Sequence, residues 1–163
     1  MSGDGLESVL VYLLLYSVLV VGTFATVTVV SRHAGGSTDI SAFAGLGRRR
    51  PVLTLALTVL LLAQAGVPLT SGFVAKWGVI QSAVAERSYA IAIIAMVSAV
   101  IAAFLYLRIM VSAWLADPSE VEPEPIPVMT GVAIALAAAV TFVVGVYPEL
   151  LLGWTDALSN YAR

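Results

Sequence analysis

Cysteine is absent from this chain and histidine occurs once, at His33. The first absence excludes disulfides, thiolate-ligated zinc and iron–sulfur clusters, and a single imidazole cannot build a multi-histidine metal or haem site. Any redox chemistry connected with this chain therefore lies elsewhere. Charge is also scarce: eight Lys plus Arg and ten Asp plus Glu in 163 residues leave a net charge of −2. No basic tract gives an electrostatic footprint for nucleic acid, so no DNA or RNA partner is expected. What the chain has in quantity is apolar side chains, 60% of all residues, with a mean hydropathy of +1.00. Those values lie far outside the range of a soluble globular domain and define a membrane protein. The opening "MSGDGLESVL" starts acidic, with no basic region and no small-residue cleavage site before the apolar run. It predicts a retained anchor rather than a cleaved leader.

Four crossings are expected. Ser8 to Ser31 carries no charge over 24 residues, enough at 1.5 Å per residue to cross a hydrocarbon core of about 30 Å. The following loop, residues 32–50, carries Arg32, Arg48, Arg49 and Arg50, which the positive-inside rule assigns to the cytoplasm, with the N-terminus outside. "RRR" at 48–50 reads first as a topology signal and second as a contact for lipid headgroups or a partner. A third segment spans 88–116, with Trp114 suited to an interfacial belt. A Pro-rich acidic connector, 117–126, leads into a last segment, 127–152, and an interfacial tail. Both termini are then outside.

The second segment is the irregular one. From Pro51 to Ala85 Lys76 is the single charge, and as one straight helix those 35 residues would measure about 52 Å. That is too long for one span and too short for two. Gly66, Pro68 and Gly72 fall within seven residues in "AGVPLTSG" and withdraw helix support there, Pro68 by lacking an amide donor. The reading is a discontinuous helix, 51–65 and 70–85, whose interrupted backbone must face protein or water. A re-entrant hairpin returning Glu86 and Arg87 to the cytoplasm is the competing reading.

Lys76 is the chain's only lysine. It precedes Arg87 by about 16 Å of helix, which puts its Cα near the bilayer midplane, too deep for its stem to reach water. A charge at that depth costs about 3 kcal/mol on insertion scales and is paired, hydrated or neutral, conditions that also suit a proton carrier. A functional proton or ion site is the leading reading, with a structural ion pair to another chain and a snorkelling side chain as alternatives. Gln64, Thr70, Ser71 and Gln81 supply hydroxyls and amides for a polar path, but no carboxylate of the chain is expected at this depth. Arg108, nine residues before Asp117, reads as an interfacial anchor or a proton-uptake group. Tyr12, Tyr16, Thr23, Thr26 and Thr28 read as packing or interhelical hydrogen bonds.

The order "LLLAQAGVPLTSGFVAKWGVI" followed by "IAAFLYLRIMVSAWL" resembles the closing part of the N-type antiporter-like subunit of bacterial respiratory complex I, the proton-translocating NADH–quinone oxidoreductase. The family is related to large subunits of multisubunit cation/proton antiporters. The resemblance covers essentially the whole chain, from "VYLLLYSVLVVGTFATV" to a last apolar helix ending G-x-x-P. The related M-type subunit has glutamate where Lys76 stands, and the L-type follows its lysine with acidic residues; here Trp77 follows, as an aromatic residue does in the N-type. Ala75 departs from a glycine often found there.

The resemblance implies an all-α polytopic fold supplying the last four of fourteen helices, with earlier carriers, a glutamate–lysine pair and a central lysine, on a missing N-terminal two thirds. The chain would then be a fragment or one half of a split gene. By the same resemblance Lys76 is the last proton carrier before release outside, driven by charge changes that accompany quinone reduction in another subunit. The chain itself would bind no cofactor; NADH, FMN, iron–sulfur clusters and quinone are expected in partner subunits. Its partners would be the other membrane subunits and lipid, in the bacterial inner membrane.

Overall fold

A computed structural model describes residues 3–118 and 125–149. The expected tail beyond residue 149 and residues 119–124 of the acidic connector lie outside the described residues. The described chain is helical: α1 Gly3–His33, a 3-10 turn Ile40–Phe43, α2 Leu46–Arg49, α3 Pro51–Ala65, α4 Ser71–Ala85, α5 Tyr89–Leu115 and α6 Val128–Val146. Three stretches, Val9–His33, Tyr89–Leu115 and Val128–Val146, are long and apolar enough to cross a membrane, and Pro51–Ala65 is a shorter apolar helix. The boundaries have local causes. Pro51 occupies the first turn of α3, where its missing amide costs nothing, and Thr70 caps α4 by accepting from the Phe73 amide.

The contacts along α1 decide between a broken helix and a re-entrant hairpin. Val29 and Val30 pack with Leu53 and Leu57, Leu19 with Leu60 and Ala63, and Val11 and Leu15 with Ala75. Moving backward along α1, the partners therefore advance steadily through α3 and into α4. A hairpin would bring Ala75 back to the level of Leu57, so α3 and α4 form one interrupted span running antiparallel to α1. The same gauge orders α6, where Ile134 joins the first cluster, Ala137 the second and Val144 the third. Met110 and Ala113 near the end of α5 join the first. The 32–50 loop, the end of α5 and the start of α6 thus share one end of the bundle.

Because apolar side chains gain nothing by leaving lipid for each other, close approach at small residues and a few hydrogen bonds hold such helices together. A Cβ on Gly22 would lie 2.5 Å from that of Ala137, and one on Gly145 would lie 2.3 Å from the Leu69 carbonyl oxygen. α6 therefore seats directly on α1 and on the helix break. Trp114 donates to Thr58 at 2.9 Å, and Ser112 donates to the Ile40 carbonyl at 3.0 Å. The 32–50 loop is more ordered than its composition predicts: Phe43 and Leu46 are buried in the core, which anchors the two short helical turns that carry them.

Candidate functional site

The break between α3 and α4 is built from the C-terminal end of one helix and the capped start of the next. Gly66 adopts φ +86; its amide bonds the Ala63 carbonyl at 2.9 Å and the Val67 amide bonds the Leu62 carbonyl at 3.1 Å. That pair of bonds is a Schellman ending, for which a left-handed glycine is the favoured residue. Pro68 follows in an exposed turn, past the point where its lack of a donor matters. Leu69 has φ 68, a left-handed conformation costing about 1–2 kcal/mol for a residue with a Cβ. Thr70 closes the turn by donating to the Val67 carbonyl at 2.6 Å. A Cβ on Gly72 would stand 1.8 Å from the Ala63 carbonyl oxygen, so the first turn of α4 passes directly against the last turn of α3.

Lys76 exploits that approach. Helical side chains lean toward the N-terminus of their own helix, and from the second turn of α4 the lysine reaches back across the break. Its Nζ donates to the Gln64 carbonyl at 2.5 Å, and its stem lies against Gly66. The Schellman bonds use the carbonyls of Leu62 and Ala63, whereas Gln64 belongs to the last turn, whose carbonyls lack intrahelical partners. This is the negative end of the α3 dipole, where a cation is stabilised. The partner absent from the expected carboxylates is thus supplied by the backbone.

The polar residues expected near Lys76 divide. Gln64 contributes its main chain, while its side chain donates to Thr23 Oγ1 at 2.5 Å and to the Leu19 carbonyl at 3.4 Å, tying α3 to α1. Thr70 is a cap, Ser71 is buried beside it, and Gln81 is exposed and does not line the lysine's cavity. Arg108 is exposed on α5 and does not line the lysine's cavity. That cavity, about 330 Å³ between α1, α4 and α5, is lined by Lys76, Tyr12, Tyr16, Ser98 and small or aliphatic side chains. Tyr12 and Tyr16 stack with ring centroids 5.0 Å apart. These tyrosines read from sequence as packing residues; their i, i+4 spacing on one face of α1 is the signal that places both on the lysine's side. Thr26 and Thr28 bond carbonyls of their own helix at 2.9 and 2.8 Å.

A bundle of long apolar helices with one interrupted span, and a cation on the backbone end of the interruption, defines a polytopic membrane protein of the broken-helix kind used at ion sites. The profile of the family described as "NADH:quinone oxidoreductase/Mrp antiporter, TM" matches residues 1–102, and the chain belongs to that family. It is 42% identical over 165 residues to "NADH-quinone oxidoreductase subunit N 3" of Streptomyces griseus, with 99% of this chain and 30% of the relative covered. It is 40% identical over 161 residues to "NADH-quinone oxidoreductase subunit N" of Rhodococcus opacus, covering 98% of this chain and 30% of the relative. The chain spans about 30% of the length of these curated relatives. Among solved structures, a chain of respiratory complex I from Thermus thermophilus with bound aureothin superposes with a TM-score of 0.76 at 24% identity, over 90% of this chain and 34% of that one. This likeness supports the arrangement of helices.

Proposed function

We propose that the chain is the C-terminal part of a proton-translocating membrane subunit of NADH–quinone oxidoreductase, and that Lys76 loads and releases a proton within it. The observation that carries the reading is the Lys76 ammonium, held by the end carbonyl of an interrupted helix and opening on a cavity lined by hydroxyls. Subunit names among the relatives supply the process; the geometry supplies the group able to carry its charge.

The α3 carbonyl end favours the protonated amine. A change of charge arriving from neighbouring subunits shifts that balance, and the proton then leaves Nζ for the cavity. Tyr12, Tyr16 and Ser98 each offer a hydroxyl that both donates and accepts, the property needed to pass it on. Lys76 lies about 13.5 Å of helix from the end of α4 at Ala85, which keeps the amine deep in the span. In this reading NADH oxidation and quinone reduction occur in partner subunits of the bacterial inner-membrane complex, with both termini of this chain outside.

The test is Lys76→Met in the full-length subunit of the assembled complex. The ratio of protons pumped to NADH oxidised should fall in sealed vesicles while the complex still assembles; an unchanged ratio removes Lys76 from the pathway. The family also includes cation/proton antiporters. A proton flux requiring sodium on the opposite face, and no NADH, would favour that reading.

A further inference from the structure

Besides Lys76, the helices α3 to α6 hold a single charged residue, Arg108 on α5. It is exposed on the outside of the bundle, with Phe104 and Val111, also exposed, one turn to either side. Among the described residues it has no hydrogen bond, ion pair or ring contact. Asp117, the nearest carboxylate along the chain, is held by Arg48 at 3.4 Å, and none of α3 to α6 contains Asp or Glu. Depth works against a snorkelling side chain. Trp114 already reaches Thr58 within the α3 span, and Arg108 stands six residues further from that end of the bundle, about 9 Å of helix. Cα–Cβ bonds lean toward the N-terminus of their helix. On α5 that direction leads away from the nearer membrane face, so the stem of Arg108 starts the wrong way to reach water.

The angle of Arg108 around α5 indicates which neighbour it meets. Ala99 lines the Lys76 cavity and precedes Arg108 by nine residues, two and a half turns, so the two stand on opposite sides of the helix. In the function proposed above, the rest of the subunit must bring a proton to that cavity and so belongs on the Ala99 side. The Arg108 side is left to a separate polypeptide. We infer that the outer face of α5 around Arg108 is the docking surface for a transmembrane helix of a neighbouring subunit, one that carries an Asp or Glu at the depth of Arg108. A charge within the hydrocarbon is tolerated where it is paired or faces protein. Acyl chains offer no counter-charge, and lipid phosphates lie outside the hydrocarbon layer. A carboxylate neutralises the guanidinium and accepts two parallel bonds from it, while Phe104 and Val111 supply apolar contact on either side. Such a pair fixes the register and the choice of partner. The assignment to a separate polypeptide rests on the proposed function.

The test places the photoreactive residue p-benzoylphenylalanine at Phe104 in the full-length subunit of the assembled complex, with Arg108 unchanged. Illumination of membranes should join the subunit to a second polypeptide, through a peptide from a transmembrane helix that contains Asp or Glu. Arg108→Glu should lower the recovery of intact complex about fivefold or more, because it sets two like charges against each other at the interface. Changing the captured carboxylate to Arg should then restore recovery in the Arg108→Glu background. Capture of lipid alone, of the subunit's own helices, of a helix without a carboxylate, or of nothing would overturn the docking surface. Recovery within about twofold in Arg108→Glu, the result for a solvated charge, or failure of the charge exchange would overturn it as well. The cross-linking arm keeps the native arginine, so its result stands even where Arg108→Glu does not fold. A subunit that does not purify with an NADH-oxidising complex refutes the proposed function itself, whereas a pumping complex without capture refutes this surface alone.

Discussion

Gly72→Ala is the most direct probe of the helix break. The new Cβ would lie 1.8 Å from the Ala63 carbonyl oxygen and 2.6 Å from its carbon. A relaxed carbon–oxygen contact needs about 3.3 Å, so α3 and α4 would have to separate by about 1.5 Å at the crossing. Both atoms of the clash are backbone, so no side-chain rotation relieves it. Overpacking of this kind costs about 1–3 kcal/mol. The same separation would pull Lys76 Nζ, 2.5 Å from the Gln64 carbonyl, out of hydrogen-bond range, and a bond from a charged donor is worth about 1.5–3 kcal/mol. Alanine returns up to about 1 kcal/mol in helix propensity, which leaves a net loss of about 1.5–5 kcal/mol. Gly131→Ala is the matched control: its Cβ meets only Ile126 at 3.9 Å, so the propensity gain stands alone. The assay is reversible unfolding of the chain in mixed micelles with rising fractions of denaturing detergent, followed by far-ultraviolet circular dichroism. If Gly72→Ala unfolds within about 0.5 kcal/mol of Gly131→Ala, the close crossing of α3 and α4 is refuted.

Three other outcomes are expected besides the loss of pumping in Lys76→Met. Gln64→Leu should cost about 0.5–1.5 kcal/mol in the same unfolding assay, the range for interhelical hydrogen bonds in membranes. It should also leave the proton-to-NADH ratio of the complex within twofold of the parent, because Lys76 uses the Gln64 main chain. Leu69→Gly should stabilise by about 0.5–1 kcal/mol, as release from φ 68 exceeds the added freedom of the unfolded chain; a destabilised variant would remove the strain. A cysteine in place of Glu86 should be labelled by an impermeant maleimide from outside the cell and one in place of Asp39 from the cytoplasm only, and labelling of both from one side would refute the antiparallel order.

Periodic and compositional signals carried the long elements. The charge-free run to Ser31, Pro51 at a helix start and the Gly66–Pro68–Gly72 cluster each have a local physical meaning, and α1, α3, α4 and α5 begin or end within a few residues of the expected places. The 32–50 loop was opaque because its order comes from Phe43 and Leu46 docking into a distant core, a tertiary effect with no period of its own. At the site, the position of Lys76 past a break was legible, while its partner was not. Side-chain lists find carboxylates; a helix-end carbonyl carries no residue type, and Gln64 would accept through its main chain whatever its side chain. Gly145 was missed for a related reason. It lies within an apolar helix, where nothing in the local sequence shows that the Leu69–Thr70 backbone of another segment occupies the space of its Cβ.

Gln64 then has two attachments that belong to different helices. Its amide is fixed to Thr23 and Leu19 on α1, and its carbonyl accepts from Lys76 on α4. The last turn of α3 sits between them, already freed from α4 by the break, so its carbonyl end is held by α1 rather than by helix continuity. Any displacement of α1 relative to α4 must either stretch the Lys76 bond or carry the α3 terminus with it. An uninterrupted helix would fix the carbonyl of residue 64 within its own ladder, out of the lysine's reach. The interruption therefore does more than admit polar groups to the span. It makes the stability of the charge on Lys76 depend on the position of a neighbouring helix, the property a proton carrier needs if events elsewhere in a complex are to load and unload it.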